Sequence, residues 1–115
     1  MKRGEIRFAE LGSLRGSEAN KRRPVVIISN DGANERAATL GRGVLTVVPV
    51  TSNVADILPF QTLLDSSATG LPPSSKAQAE QVRSIDVKCL GPRVGQLPPA
   101  LIAELDAALR LHLGL

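Results

Sequence analysis

The sequence predicts a mainly β protein that ends in one α-helix, and three observations lead to this prediction. Short runs of β-branched and other apolar residues recur along the chain. Glycine, proline, asparagine and serine separate these runs at short intervals, as turns separate the strands of a small sheet. One segment near the C-terminus carries apolar residues at helical spacing. This pattern favours a small, strongly bent sheet or partly open barrel with a terminal helix.

The first half of the chain contains three predicted strands. Residues 4–8 alternate in polarity, which predicts a half-buried strand with Glu5 and Arg7 on its exposed face. The β-branched run that follows Pro24 predicts a strand over residues 24–29, which begins at that proline and is covered on both faces. A third strand is predicted over residues 44–50, where Pro49 indicates an edge or a bulge. Residues 11–22 are predicted to form a loop. Residues 30–42 are bounded by turn signals at both ends, and a short helical turn is predicted within them at residues 33–40.

The second half alternates further short strands with turns and ends in the helix. Strands are predicted at residues 60–64, 76–85 and 93–97, with a polar loop at 65–75 and a helical turn at 86–90. The helix has one apolar face, formed by Leu101, Ile102, Leu105, Ala108, Leu109 and His112. Pro99 suits its first turn and Gly114 its end. Asp106 and Arg110 are spaced as an i,i+4 ion pair.

Composition limits the classes of function. The chain has 115 residues, about one domain over residues 1–115, and its net charge is +3, with the cations concentrated in the first half. A local basic surface of this kind suits a polyanionic partner. The single Cys and the single His exclude an internal disulfide and a Cys- or His-based metal cluster, so we expect no metal ion and no cofactor. Without a signal sequence or an apolar run of about 20 residues, we expect a soluble cytoplasmic protein with no membrane association.

The candidate chemistry lies in polar residues at predicted strand ends. Arg23 directly precedes the second strand, and Thr51 and Ser52 follow the third. A guanidinium beside hydroxyl groups is a good phosphate clamp, because its planar fork binds two oxygens while a hydroxyl donates to a third. RNA carries its own nucleophile, the 2′-OH, so cleavage needs a cation and donors placed against the charge at phosphorus. Arg23 and Thr51 suit that role if the fold brings the two strand ends together.

Simpler interpretations of these residues stay open at this point. The cations before the second strand also suit a solvated strand end, and Thr51, Ser52 and Asn53 suit ordinary turn chemistry. Glu80 and Arg83, on the predicted strand 76–85, also fit cross-strand charges on a solvated face. His112 is more typical of a packed core or interface position than of a catalytic one. Residue types alone therefore indicate a basic, β-rich domain with a candidate phosphate site.

Several segments in register resemble the MazF/PemK family of toxin endoribonucleases. They are Arg3–Ile6, Gly16–Glu18, Lys21–Asn30, Val48–Asn53, Pro59–Phe60, Thr69–Leu71, Glu80–Asp86 and the C-terminal helix. The resemblance implies a small SH3-like β-barrel of the CcdB/PemK type with a C-terminal helix. It also implies a homodimer that cleaves single-stranded RNA at short sequences without a metal ion, inhibiting translation and growth.

The resemblance assigns roles to particular residues. It implies that Arg23 and Thr51 are the catalytic pair and that the products are a 2′,3′-cyclic phosphate and a 5′-hydroxyl. The residues that match positions lining the family's RNA groove are Ser17, Glu18, Ser52 and Gln81. Lys21 and Arg22, beside the catalytic arginine, are expected to attract and hold the RNA strand. A cognate antitoxin, whose acidic segment covers the same groove, is the implied protein partner.

The chain departs from the family pattern in one respect and leaves two other functions open. Many members carry tryptophan where Ile6, Arg7 and Phe8 stand here, so RNA recognition is expected to use Arg stacking and hydrogen bonds to base edges. The main alternative is a non-enzymatic toxin of the same fold that binds and inhibits DNA gyrase, although the apolar C-terminus argues against it. The other is an RNA-binding module that does not cleave.

Overall fold

The structure, a computed structural model, describes residues 1–12 and 22–115. In these residues a set of short strands forms one antiparallel sheet: β1 (Glu5–Glu10), β2 (Arg22–Ile27), β3 (Val44–Thr51), β4 (Gln61–Leu64), β5 (Ser75–Gln78), β6 (Arg83–Asp86) and β7 (Leu90–Gln96). The helices are α1 (Asp31–Leu40), α2 (Ser66–Thr69) and α3 (Pro99–Leu113), and short 3₁₀ turns occupy Ala79–Gln81 and Val87–Cys89. The predicted mainly β fold with a terminal helix is confirmed.

Strand β3 is the centre of the sheet because it has three partners. Val47 pairs with Ile27 of β2 and with Arg83 of β6, so these two strands lie on opposite edges of β3. On the β6 edge, the end of β3 pairs instead with β5, through Val50 and Thr51. The strand order is β4-β5-β3-β2-β1-β7, with β6 beside the first half of β3. Because one strand changes partners along its length, the sheet bends into the partly open barrel that the sequence favours.

Pro24 and Pro49 both lie within central strands. The sequence predicted Pro24 at the start of a strand and Pro49 at an edge or a bulge. The backbone N–H of Ile28 donates to the carbonyl of Thr46 at 2.9 Å. Because the N–H groups of every second residue point to the same neighbouring strand, the N–H that Pro24 lacks would also have pointed to β3. The β2–β3 ladder ends at Val25, one residue after Pro24. On β3, Pro49 faces the other edge, between the last β6 pair at Val47 and the first β5 pair at Val50. Each missing N–H therefore coincides with a gap in the ladder. The predicted strand start at Pro24 is wrong, because β2 begins at Arg22, whereas Pro49 lies at a local unpaired edge of β3.

Other elements differ from their predicted bounds for local reasons. The short helical turn is a full helix, α1, because the Asn30 side chain accepts from the Ala33 N–H at 2.8 Å and Gly41 ends it at φ 67°. The predicted strand 76–85 is wrong: a 3₁₀ turn divides it into β5 and β6. Glu5 is not on an exposed face, since it is only 6% accessible and accepts from Arg7 Nε at 3.0 Å.

Helix α3 packs its predicted face onto the barrel core. Leu105, Ala108 and Leu109 are buried in a cluster that also contains Ile6, Val26 and Val48 from the central strands. Pro99 begins the helix and Gly114 ends it in the left-handed region, both as predicted. His112 is exposed, with its ring centroid 6.1 Å from that of Phe60, so it is not the core residue that was one of its two predicted roles, and an interface position stays a prediction. In the part of the chain that the structure describes, no helix is long and apolar enough to cross a membrane.

Asp106 pairs with the N-terminal segment and not with the predicted Arg110. Its carboxylate lies 2.7 Å from the Arg3 guanidinium, which also donates through Nε to the Ile28 carbonyl at 2.7 Å. Arg3 thus joins α3 to the end of β2. Asp106 forms this long-range ion pair instead of the local i,i+4 pair with Arg110 that the sequence predicted.

We expect Asp106→Ala to lower the free energy of unfolding by about 1 kcal/mol, since the pair is partly exposed but well aligned. Urea denaturation measures the change. Arg110→Ala is the control and is expected to shift the free energy of unfolding by less than about 0.5 kcal/mol. A larger effect for Arg110→Ala than for Asp106→Ala would contradict this assignment.

Candidate functional site

The register of β2 and β3 brings Arg23 and Thr51 to the same end of the barrel. Val25 pairs with Pro49, Val26 with Val48 and Ile27 with Val47. Continuing this antiparallel register beyond the last pair places Arg23 opposite Thr51. Directly opposite residues of an antiparallel pair share one face of the sheet. The two residues also line the same pocket, so the fold brings together the two strand ends that the sequence singled out.

This pocket, which we call the Arg23 pocket, has a volume of about 410 Å³. It combines cations, hydroxyl groups and an apolar wall, and its lining residues are Phe8, Arg22, Arg23, Pro24, Val50, Thr51, Ser52, Leu71, Pro72, Pro73 and Ser75. Guanidinium and hydroxyl groups bind phosphate oxygens, and the apolar wall suits a sugar or the face of a base. The composition therefore fits one phosphodiester with an adjoining nucleoside.

Thr51 takes part in turn chemistry and still faces the pocket. Its Oγ1 accepts a hydrogen bond from the Asn53 N–H at 3.2 Å, and Asn53 Oδ1 accepts in turn from the Ala55 N–H at 3.2 Å. The simpler interpretation of this segment as a turn is therefore right. Because the turn bond uses only a lone pair of Oγ1, the hydroxyl proton stays available for donation to a ligand.

Arg22 and Phe8 form one edge of the Arg23 pocket. The Arg22 guanidinium lies 4.8 Å from the centroid of the Phe8 ring. Its Nε is 3.7 Å from Glu10 Oε2, in the exposed pair that the β1–β2 register places side by side. A guanidinium on an aromatic face is a stacking platform for a base. Arg22 therefore lies at the edge of the pocket as a stacked group whose charge is partly balanced by Glu10, and its contact with RNA stays a prediction.

Gln81 lies in a second pocket that Arg23 connects to the first. This pocket, of about 290 Å³, is lined by Leu11, Arg23, Pro49, Gln78, Gln81 and Arg83. Since Arg23 lines both pockets, the two pockets adjoin at its side chain, and together we call them the groove. Gln81 belongs to the 3₁₀ turn and not to a strand, because the predicted strand 76–85 is interrupted there.

Glu80 is not a solvated cross-strand charge. Its Oε2 accepts from Gln61 Nε2 at 2.8 Å, and its other carboxylate oxygen is buried without a partner among the described residues. Glu80 thus belongs to the interior side of the 3₁₀ turn, while neighbouring Gln81 faces the groove.

The apolar wall of the Arg23 pocket was not singled out from the sequence. Leu71, Pro72 and Pro73 fall in the segment predicted as a polar loop, and Ser75 begins β5. Two consecutive prolines are the signal of a rigid wall, since each fixes its own φ. Upstream of this wall, hydrogen bonds from the Ser67 N–H and hydroxyl lower the pKa of the exposed Asp65 carboxyl, which caps α2. The remaining predicted groove residues, Ser17, Glu18 and Lys21, lie outside the described residues.

A model of the protein family described as PemK-like, MazF-like toxins of type II toxin–antitoxin systems matches residues 2–113. The chain belongs to the MazF/PemK family. Endoribonuclease MazF9 of Mycobacterium tuberculosis (strain ATCC 25618 / H37Rv) is 56% identical over 115 residues, which cover 100% of this chain and 98% of that protein. Endoribonuclease EndoA of Bacillus subtilis (strain 168) is 31% identical over 116 residues, which cover 100% of this chain and 96% of EndoA.

Solved structures of other proteins share the fold. An endoribonuclease in complex with its cognate antitoxin, from a mycobacterial species, superposes with a TM-score of 0.79 at 23% identity, over 100% of this chain and 96% of that chain. The Mycobacterium tuberculosis toxin MazF-mt6 superposes with a TM-score of 0.78 at 23% identity, over 96% of this chain and 97% of that chain. The family and the barrel architecture implied by the sequence resemblance are both confirmed.

Proposed function

We propose that this MazF/PemK-family chain is a toxin endoribonuclease that cleaves single-stranded RNA without a metal ion. The observation that supports the proposal is that Arg23 and Thr51 line one pocket together with a second cation and further hydroxyl groups. Its relatives MazF9 and EndoA are named endoribonucleases, which favours RNA cleavage over the binding of DNA gyrase.

In the proposed reaction the RNA supplies the nucleophile. The 2′-oxygen forms a bond to phosphorus, the bond from phosphorus to the 5′-oxygen breaks, and the products are a 2′,3′-cyclic phosphate and a 5′-hydroxyl. The 2′-OH loses a proton and the leaving 5′-oxygen gains one. Arg23 retains its proton throughout, because a guanidinium stays charged in proteins, and stabilises the negative charge on the phosphate oxygens. The Thr51 hydroxyl donates a hydrogen bond to one of those oxygens and keeps its proton.

The rest of the groove positions the RNA strand. Ser52 lies beside Thr51 in the Arg23 pocket, and Gln81 lies beyond Arg23 in the second pocket. Their positions fit one nucleotide on each side of the scissile phosphate. Arg22 on Phe8 offers a face for base stacking. Ser17, Glu18 and Lys21 are assigned to the same groove by the family resemblance alone.

Membership in a toxin–antitoxin family implies an antitoxin and a homodimer as the working assembly. One of the solved structures above pairs a related endoribonuclease with its cognate antitoxin. We infer that an acidic segment of the antitoxin of this chain covers the groove around Arg23, where its carboxylates replace RNA phosphates. Such a segment competes directly with the substrate.

Incubating the protein with a long single-stranded RNA in excess EDTA tests the proposed reaction. We expect full cleavage, because neither Arg23 nor Thr51 needs a metal ion, and fragments whose new 5′ ends accept phosphate from polynucleotide kinase directly. Once the cut site is mapped, a single 2′-deoxy substitution at that nucleotide is expected to block cleavage, while the same substitution elsewhere has no effect.

Two outcomes would overturn the proposal. Loss of cleavage in EDTA with recovery on added Mg²⁺ would assign the chemistry to a metal ion. Tight RNA binding without cleavage would indicate a binding module. Inhibition of DNA supercoiling by gyrase, measured in parallel, tests the alternative toxin class.

A further inference from the structure

The β3–β4 loop, residues 52–60, leaves the Arg23 pocket directly from the candidate catalytic Thr51. Its first residue, Ser52, still lines that pocket. Further along, Val54, Ile57 and Leu58 present apolar side chains that are 38%, 41% and 44% exposed. Exposed apolar side chains beside a nucleic-acid groove suit contact with base faces. The position of this loop therefore matters for which nucleotides bind next to the scissile phosphate.

Hydrogen bonds hold the loop at both ends. At its start the Asn53 N–H donates to Thr51 Oγ1, and the Ala55 N–H donates to Asn53 Oδ1. At its end the Leu58 N–H donates to Gln61 Oε1 at 3.0 Å. Gln61 is buried and its Nε2 donates to Glu80, which connects the loop end to the 3₁₀ turn that carries Gln81.

Lys76 of β5 holds the middle of the loop. Its Nζ donates to the Asp56 carbonyl at 2.6 Å, although the two residues are far apart along the chain. Lys76 is also the register partner of Thr51, so both side chains leave the sheet on one face. A single lysine thus connects the strand pair that carries Thr51 to the centre of the loop that follows it.

The burial of Lys76 is unusual. The residue is only 8% exposed, and lysine is almost never buried to this extent unless it is paired. No carboxylate of the described residues lies within 4.0 Å of its ammonium, in contrast to Arg3, Arg7 and Arg22. Burying a cation against a carbonyl instead of a carboxylate costs stability. An apolar residue would fill the same volume without this cost, so stability alone does not account for a lysine here.

We propose that Lys76 is a positioning residue that fixes the β3–β4 loop for RNA recognition and does not act in the chemical step. This inference rests on the proposed ribonuclease function. Its specific content is that the bond from Lys76 Nζ to Asp56 O sets the loop conformation, and that this conformation determines RNA affinity and the preferred cut sequence.

Lys76→Met tests the proposal, because methionine keeps an unbranched apolar stem and removes the donor. We expect faster amide hydrogen exchange at residues 53–58, about a tenfold rise in KM on the mapped RNA site, kcat within about twofold, and a broader set of cut sequences. Lys76→Gln, whose amide is too short to reach Asp56, is expected to reproduce these changes and provides a second variant if the methionine substitution prevents folding. Lys76→Arg, which retains a donor, is expected to restore the wild-type cut sequence in part.

Lys88→Met is the matched control, since Lys88 is exposed and its backbone N–H donates to Asp86 Oδ1, while its ammonium has no hydrogen-bond partner among the described residues. It is expected to leave loop exchange and cut sequence unchanged. Unchanged exchange in Lys76→Met and Lys76→Gln would overturn the anchoring role, and this readout does not depend on activity. A fall in kcat with KM unchanged would also overturn the proposal, because it would place Lys76 in the chemical step. Absence of cleavage by the wild-type protein would instead refute the ribonuclease function.

Discussion

Arg23→Ala is expected to reduce the single-turnover rate of RNA cleavage by about 10²–10³-fold without unfolding the protein. Arg23 is the cation common to both pockets of the groove, and it lies opposite Thr51 in the continued β2–β3 register. Its removal takes away the group that stabilises charge on the phosphate oxygens. Its side chain is only partly buried and makes no ion pair with a described residue, so circular dichroism and the urea midpoint are expected to stay near wild type.

Thr51→Ala is expected to slow the same step, and the double variant measures whether the two groups act together. Residues that act as a unit show strongly non-additive losses, so Arg23→Ala/Thr51→Ala is expected to be little slower than Arg23→Ala alone. Thr51→Ser, which keeps the hydroxyl, is expected to retain most activity. Arg110→Ala removes an exposed arginine from α3, outside the groove, and serves as the control for net charge. Wild-type cleavage rates in both Arg23→Ala and Thr51→Ala would refute the assigned pair.

Gly95→Ala is expected to lower the free energy of unfolding by about 1–3 kcal/mol. A Cβ at this position of β7 would lie 2.7 Å from the carbonyl oxygen of Thr69 and 3.2 Å from Ile6 Cδ1. The Thr69 carbonyl is backbone at the end of α2, and the Thr69 hydroxyl is itself bonded to Asp65 O and to the Leu71 N–H. The hydrogen-bonded Thr69 backbone and the buried Ile6 side chain cannot move freely. We therefore expect the clash to displace the segment that follows Thr69, towards Leu71 and the proline wall.

The same substitution is therefore expected to weaken RNA binding as well as the fold. The wall formed by Leu71, Pro72 and Pro73 lines the Arg23 pocket, and it follows Thr69 closely in the chain. Urea denaturation measures stability, and the affinity for RNA that carries a 2′-deoxy nucleotide at the cut site measures the groove. Gly91→Ala, in the same strand, is the control for stability only, because its nearest contact would be the flexible end of Arg22 at 3.3 Å, and Arg22 itself lies at the groove. Equal stability losses for the two variants would contradict the backbone clash at Gly95.

Local sequence was enough for the elements whose signals lie within a few residues of one another. The turn signals at Asn30 and Gly41, which the structure shows to be the caps of α1, and the Pro99 and Gly114 ends of α3 are of this kind. The apolar face of α3 was also predictable, except at His112, which lies beyond the part of the helix that the barrel covers. In these cases the backbone groups and side chains that decide the structure are neighbours along the chain.

Predictions that depended on distant partners were less successful. Asp106 has Arg110 one helical turn away, yet it bonds Arg3, because the packing of α3 brings the N-terminal segment to the same place. Pro49 is typical of an edge strand by residue type, but the gap between β6 and β5 makes it acceptable in the central strand. The burial of Lys76 had no signal in the sequence, since alternation of polarity places a lysine on an exposed face.

The sequence by itself determined the mainly β class, the terminal helix and the identity of Arg23, Thr51 and Ser52 as candidate phosphate-binding groups. Its family resemblance added the MazF/PemK assignment. Only the tertiary structure decided that Arg23 and Thr51 line one pocket, that Arg23 also lines a second pocket, and that Lys76 reaches the β3–β4 loop. The physical reason is register: the pairing of β2 with β3 and of β3 with β5 is set by the burial of whole faces of the sheet, and no short segment of the chain contains that information.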